Sequence, residues 1–432
     1  MEPQAIGAAG FVLVLLLVLA RVPVAIAMGA VGIGGLALLK PWKQVAFLLG
    51  TVPFEAVFPY SLSVVPLFIV MGIFAAHAGL SRQLFEAVHA FIGHLRGGLA
   101  QATIGACAAF GAICGSSIAT AATMCRVALP EMRRRGYDDR IATASIAAGG
   151  TLGIMIPPSI IFAIYGLLTE TSIGKLFVAG ILPGLLGMAL YMGAIRLSTG
   201  RRPTLAPPAE RIAWPARFRA LVEVWAVVFL FVAVIGGIYV GVFSPTEGAG
   251  VGAVGALLFA IFRRETTRRR LAEAAHETAG MVGMIFLILI GAALFNAFLE
   301  TSRLPAMLAR ETAALGLHPL IVVTALMVFY ILLGCIMDSL SMVLLTVPAV
   351  YPLIVAMGLD PIWFGVLIVT VVEIGMITPP VGMNLFVIQG AGGVPLKTIV
   401  DGIWPFVGAD AIRLALLIVF PAISTWLPSL MT

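Results

Sequence analysis

Long apolar runs separated by short polar stretches dominate the 432-residue chain. A helix crossing about 30 Å of hydrocarbon needs about 20 predominantly apolar residues. Runs of that order lie at 5–20, 24–39, 61–78, 176–196, 223–243, 246–262, 279–299 and 402–428. Two more, 141–168 and 362–390, are interrupted by Pro157-Pro158 and Pro379-Pro380. Another two, 98–129 and 318–356, are broken midway by small and polar residues. The pattern predicts an all-α polytopic membrane protein.

The runs repeat. A shift of 222 residues places Pro130 on Pro352, Gly136 on Gly358, Asp138 on Asp360 and Gly153 on Gly375. The same shift places Pro157-Pro158 on Pro379-Pro380, Lys175 on Lys397, Gly180 on Gly402 and Pro183 on Pro405. Ser81-Arg82 meets Ser302-Arg303 after a one-residue slip. So many matches in one register indicate a tandem duplication, with repeats at 1–196 and 220–432 and a linker at 197–219. Each repeat reads as two scaffold spans (5–39, 223–262), an interfacial segment (41–58, 263–278) and a third span. A hairpin entering and leaving on one side (98–129, 318–356), a Pro-Pro broken helix (141–168, 362–390) and a last span follow. That makes five crossings per repeat, and an odd number inverts the second repeat relative to the first.

Composition and charge sharpen this picture. Hydrophobic residues make up 61% and charged residues 11% of the chain, with a mean hydropathy of +1.10. Soluble chains carry about 25% charged residues, so a water-facing surface cannot be covered and lipid must be the main solvent. The net charge of +6 is clustered. One group is Arg133, Arg134, Arg135 and Arg140; a second is Arg196, Arg201, Arg202, Arg211, Arg217 and Arg219; a third is Arg263, Arg264, Arg268, Arg269 and Arg270. The topology puts all three on one side, whereas 353–362, the repeat mate of 131–140, has no basic residue. By the positive-inside rule that side is cytoplasmic and both termini are periplasmic, with Lys40 and Lys43 on the opposite face from the clusters. The N-terminus lacks the basic region of a cleaved signal peptide, so the first run is expected to stay as a span. The segment RRETTRRRLAEAAHET (263–278) is too polar to span and reads as a helix along the cytoplasmic surface or as a solvated linker.

Chemistry concentrates at four helix breaks, matched in pairs. These are AFGAICGSSIATAAT (109–123) with LLGCIMDSLSMVLLT (332–346), and GTLGIMIPPSI (150–160) with EIGMITPPVGMN (373–384). Irregular backbone at membrane depth is tolerated only where it lines a cavity or is buried in protein. Paired prolines remove N–H donors, which leaves preceding carbonyls free as hard ligands for a dehydrated alkali cation. Tips rich in Gly, Ser and Asp add further oxygens, while the half-helix N-termini there offer N–H groups and a positive dipole end to an anion. Asp338 reads as a cation ligand or as an N-cap for Ser341 onward; Glu373 reads as a ligand, a proton relay or an ion-pair partner. Thr378 and Asn384 offer neutral oxygens, and Arg126 either snorkels or binds substrate. The four cysteines sit in apolar segments and the five histidines lack metal-site spacing. Without GxxxxGK[ST] or a nucleophile–base pair, neither direct ATP use nor an enzyme is indicated. An ion gradient is then the expected driving force.

The runs GSSIATAATMCRVALPEMRRRGYDDRIATASIAAGGTLGIMIPPSI, MDSLSMVLLTVPAVYPLIVAMGLDPIWFG and IGMITPPVGMNLFV resemble the large membrane subunit of TRAP (tripartite ATP-independent periplasmic) transporters. The resemblance covers essentially the whole chain. It implies an elevator-type fold in the bacterial or archaeal inner membrane, and sodium-coupled uptake of a carboxylate-bearing solute such as a C4-dicarboxylate, sialic acid or another organic acid. It also implies two partners: a periplasmic substrate-binding protein and a small four-helix membrane subunit, expected as a separate chain because this one begins directly with the large subunit. Carried over by position, two or more Na+ ions are implied. One set is Gly115, Ser116 and Ser117 with Thr151, Gly153 and Pro157; the other is Gly334, Asp338 and Ser339 with Glu373, Gly375, Thr378 and Pro379. The implied substrate position lies near Ser116, Ser339 and Asn384. Cys114 and Arg126 stand where relatives often have small residues. The competing readings are a related anion symporter that takes its solute directly, and a channel.

Overall fold

The computed structural model describes residues 2–263 and 267–431, and among them every regular element is helical. Arg264 and the 264–266 part of the third basic segment lie outside the described residues. The first repeat opens with an antiparallel pair, α1 (Pro3–Leu19) and α2 (Val24–Leu39), divided where Arg21 turns left-handed (φ 67°) ahead of Pro23. Next comes α3 (Trp42–Val57), which buries only Val45 and exposes Trp42, Phe47 and Phe54. This one-sided burial suits a helix lying at the lipid–water boundary. Then follow α4 (Val64–His77), α5 (Leu80–Ile92), the hairpin arms α6 (Gly98–Cys114) and α7 (Ser117–Arg134), the two halves of the first broken helix α8 (Asp139–Met155) and α9 (Ile160–Thr169), and α10 (Ile173–Arg201).

The second repeat begins with α11 (Trp214–Glu223), bent by 45° from α12 (Trp225–Phe231), which passes through a π turn into α13 (Gly237–Tyr239). A capping box of Ser244 and Glu247 starts α14 (Pro245–Phe262). The remaining elements are α15 (Arg268–Ser302), α16 (Leu304–Ala314), the hairpin arms α17 (Pro319–Gly334) and α18 (Ser339–Ala356), the broken helix α19 (Pro361–Ile377) and α20 (Met383–Gly392), then α21 (Leu396–Val419) and α22 (Ala422–Ser429).

The two repeats share their punctuation. Asp138 and Asp360 cap α8 and α19, Gly136 and Gly358 are left-handed before them, and both Pro-Pro bonds are cis. The broken helices run antiparallel. Tyr165 in α9 donates to the carbonyl of Pro361 at the start of α19 (2.7 Å), while the start of α8 lies against α21, where a Cβ on Gly402 would fall 2.2 Å from the carbonyl oxygen of Arg140. The scaffold helices exchange partners between repeats. A Cβ on Gly32 of α2 would meet the Leu294 backbone of α15 at 2.7 Å, and one on Gly252 of α14 would meet Met71 Sδ of α4 at 2.3 Å. Small residues are what permit such close approach in lipid.

Four details differ from the sequence reading. The segment 263–278 is no separate interfacial helix: from Arg268 it is collinear with the span to Ser302 as one 35-residue helix. At about 1.5 Å per residue, that helix outreaches the hydrocarbon and carries its basic turns beyond it. The linker is shorter than 197–219, because α10 continues to Arg201 and α11 starts at Trp214. It is also pinned, with Asp138 N donating to the Leu205 carbonyl (2.9 Å) and Ala209 N to that of Gly93 (3.2 Å). The last run, 402–428, breaks at Phe420-Pro421. Finally, left-handed Gly79 and Arg303 occupy matching turns before α5 and α16, displacing the Ser81–Ser302 match by three residues.

Candidate transport site

Each hairpin tip rests on its own repeat's broken helix. In the first, Gly115 ends α6 in a left-handed conformation (φ 62°), and a Cβ there would lie 2.8 Å from the Pro158 carbonyl oxygen. One turn earlier, a Cβ on Gly111 would fall 2.4 Å from Gly153 Cα. A Cβ on Gly153 would in turn stand 2.8 Å from Thr120 Oγ1 and 3.2 Å from the Ser116 carbonyl oxygen. In the second repeat a Cβ on Gly375 would meet Gly334 Cα at 2.5 Å. Asp338 caps α18 by accepting from Ser341 N (3.0 Å), so the N-cap reading is the one seen for its Oδ2.

The Pro-Pro pairs leave specific oxygens free. Pro157 and Pro158 deprive Gly153 and Ile154 of their i+4 donors, and the Ser159 hydroxyl takes up the Ile154 carbonyl, leaving that of Gly153 without its usual helical donor. In the second repeat Thr378 returns its amide to Gly375 (3.3 Å) and its hydroxyl to Ile374 (2.6 Å), while the Met376 carbonyl, with Pro380 at i+4, lacks its usual helical donor. The buried side-chain oxygens without a hydrogen-bond partner among the described residues include three at the tips and the second break, Thr120 Oγ1, Ser341 Oγ and Asn384 Oδ1. Buried polar atoms are normally paired, so three orphans at the tips and at the second break are the kind of oxygen set that unwound transporter helices present to an alkali cation. Asn384 also ties the two repeats together by donating to Ser117 Oγ (2.7 Å) and to the Ala147 carbonyl (3.1 Å).

A cavity of about 1200 Å³ opens between the tips. Gly115, Ser116 and Ser117 line it from one hairpin, Asp338 and Ser339 from the other, with Met376, Met383 and Arg126 beside them. Glu223, Arg263, Arg270 and Glu277 also line it, drawn from or bordering the segments that carry the second and third arginine clusters. The N-termini of α7 and α18 border the same space.

Not every sequence candidate is found there. Glu373, read as a cation ligand among other roles, is paired with Arg413 of α21, and Thr151 turns its hydroxyl to the Ala148 carbonyl (2.7 Å) and to Tyr191 (3.2 Å). Neither side chain lines the cavity. Both side chains belong to a polar cluster instead, and the ion-pair reading is the one seen for Glu373: Arg413 also reaches Asp410 (2.8 Å), which accepts from the Tyr191 hydroxyl (2.6 Å). All five residues are fully buried. Tyr191, Asp410 and Arg413 were missed by sequence reasoning, although two charges three residues apart inside an apolar span were a signal.

Two re-entrant hairpins and two broken helices around a shared cavity, inside an inverted duplication, define a multi-pass membrane transporter subunit. Residues 11–423 match the family described as "Tripartite ATP-independent periplasmic transporter, DctM component", and the chain belongs to that family. It is 35% identical to the C4-dicarboxylate TRAP transporter large permease protein DctM of Pseudomonas aeruginosa, covering 87% of this chain and 88% of that one. It is 33% identical to the sialic acid TRAP transporter large permease protein SiaM of Vibrio cholerae, covering 86% and 87%. These relatives are transporter permeases and not enzymes. The fold is shared with the YdaH transporter of Alcanivorax borkumensis, with a TM-score of 0.70 over 98% of both chains at 15% identity.

Proposed function

We propose that this chain is the large permease of a sodium-driven importer for a carboxylate-bearing solute. The observation that carries the cation is the set of orphaned oxygens, Thr120 Oγ1, Ser341 Oγ and Asn384 Oδ1, beside carbonyls freed by the two Pro-Pro breaks. One cation belongs at the Gly111–Gly153 contact and one at the Gly334–Gly375 contact. The solute lies in the cavity between Ser116 and Ser339, where two helix N-termini favour a carboxylate. Asn384, buried behind Ser117, positions the first tip and makes no wall of the solute space. Movement of the hairpins and broken helices as one body against α1–α4 and α11–α15 carries the solute across. The family's description as tripartite and periplasmic supports two partners, a binding protein that delivers the solute and a small membrane subunit. The arginine clusters support a cytoplasmic location for the cavity mouth, with both termini periplasmic.

Uptake into proteoliposomes containing the purified permease and its small membrane subunit tests this reading. Labelled succinate or sialic acid, presented with candidate binding proteins, is expected to accumulate under an inward sodium gradient. Uptake indifferent to sodium would overturn the coupling, and equal uptake without any binding protein would favour a direct symporter. Thr120→Val and Ser341→Ala are each expected to raise the half-saturating sodium concentration about tenfold, the equivalent of one hydrogen-bond-sized ligand contact of about 1.4 kcal/mol. For orientation, Arg134→Cys and Ala356→Cys are placed singly in a cysteine-free background. An impermeant thiol reagent is expected to reach the first only from the cytoplasm and the second only from outside; labelling of both from one face contradicts the inversion.

A further inference from the structure

The buried polar cluster has a symmetry that its hydrogen bonds alone do not reveal. The register of 222 residues that relates the repeats places Thr151 on Glu373 and Tyr191 on Arg413. The cluster is thus built from two pairs of repeat mates, joined by Asp410, in α8, α10, α19 and α21. Repeat mates meet only near the axis relating the two halves. Thr151 and Glu373 each stand two residues before the glycine, Gly153 or Gly375, on which a hairpin packs. Space for the guanidinium has been cleared: a Cβ on Gly187 would fall 2.3 Å from Arg413 Nη1.

Stability alone is a poor reason for such a cluster, because apolar side chains of equal volume usually serve a buried site as well or better. What an ionic cluster adds is directional connection, since each member holds its neighbour at one distance and one angle. We propose that Thr151, Tyr191, Glu373, Asp410 and Arg413 form a clamp on the axis between the repeats that couples the two cation sites. Ordering of one helix break by a cation is passed through Tyr191 and Arg413 to the other, so the two ions bind cooperatively. This rests on the cation reading above, and Tyr191 and Arg413 act as positioning residues without touching an ion.

The native cysteines provide reporters, since Cys114 adjoins the first tip and Cys335 the second. Two otherwise cysteine-free proteins, each keeping one of them, are titrated with sodium while the rate of thiol modification is followed. With the cluster intact, both rates are expected to fall at one shared midpoint with a Hill coefficient above one. Tyr191→Phe keeps the ring and its edge contact with Phe406 but removes the hydroxyl; Arg413→Lys keeps the charge but loses the planar fork. In both, the Hill coefficient is expected to drop to one and the two midpoints to separate by threefold or more. A shared midpoint and unchanged slope in both folded variants would overturn the clamp. Absence of any sodium response with the cluster intact would instead overturn the cation reading, and the clamp with it.

Discussion

Gly375→Ala is expected to raise the half-saturating sodium concentration by about five- to a hundredfold and to depress uptake sharply at ordinary sodium. The added methyl would lie 2.5 Å from Gly334 Cα and 2.6 Å from its carbonyl carbon, and backbone atoms cannot swing aside as a side chain can. Either the second hairpin lifts from its broken helix or the break itself deforms, and both separate the oxygens grouped there. Overpacking of this kind costs about 1–3 kcal/mol, which as a loss of closed population corresponds to about five- to a hundredfold in apparent affinity. Gly111→Ala should behave alike, with Gly153 Cα at 2.4 Å. Gly153→Ala should strain the backbone less, because its nearest obstacle is the rotatable Thr120 hydroxyl, but by turning that oxygen away it should raise the half-saturating sodium concentration about as much as Thr120→Val. Gly390→Ala, on α20 with nothing within 4 Å, is the control and should leave uptake intact. Sodium titrations of uptake, with a melting curve for each variant, distinguish these outcomes. A Gly375→Ala protein with normal sodium dependence would remove the Gly334–Gly375 contact from the site.

Why some of this architecture could be read from residues and some could not follows from the range of the forces involved. Pro-Pro, Gly-Ser-Ser and Asp N-caps act within one turn, so the positions of the tips and breaks were legible, and the duplication made each one count twice. The continuity of α15 is legible in principle, for Arg268 to Thr278 contains neither Gly nor Pro and consists mostly of strong helix formers, so its polarity marks the edge of the hydrocarbon and not the end of the helix. The Asp410–Arg413 pair marked a polar place in α21, but its partners were not legible, because α8 and α19 are buried on nearly every side and carry no amphipathic stripe to say which way Thr151 or Glu373 points. Only the tertiary approach of α10 and α21 decides that. The same holds for Asn384, whose partners Ser117 and Ala147 lie in the other repeat.

Arg413→Ala is expected to yield little folded protein. Among the described residues, Arg413 is the sole cation within hydrogen-bonding reach of both Glu373 and Asp410, and all three are completely buried. Removing one partner of a buried pair costs about 3–5 kcal/mol, a large share of the about 5–15 kcal/mol that holds a typical domain together. The loss here sits nearer the upper end, since two carboxylates lose their partner and a void opens against Gly187. If uncompensated charge is the cause, removing the charge should restore the fold. The combined variant Arg413→Met, Glu373→Met, Asp410→Leu, Tyr191→Phe replaces every member that needs a partner by an apolar side chain, and should melt within a few degrees of the parent protein in detergent. A combined variant as unstable as Arg413→Ala would show that shape, not charge, governs the site. A combined variant that folds separates the two roles of the cluster, because nothing then carries order from one helix break to the other. It should bind sodium with a Hill coefficient of one and accumulate solute poorly despite its stability, whereas full cooperativity in that protein would show that the hairpins communicate by another route.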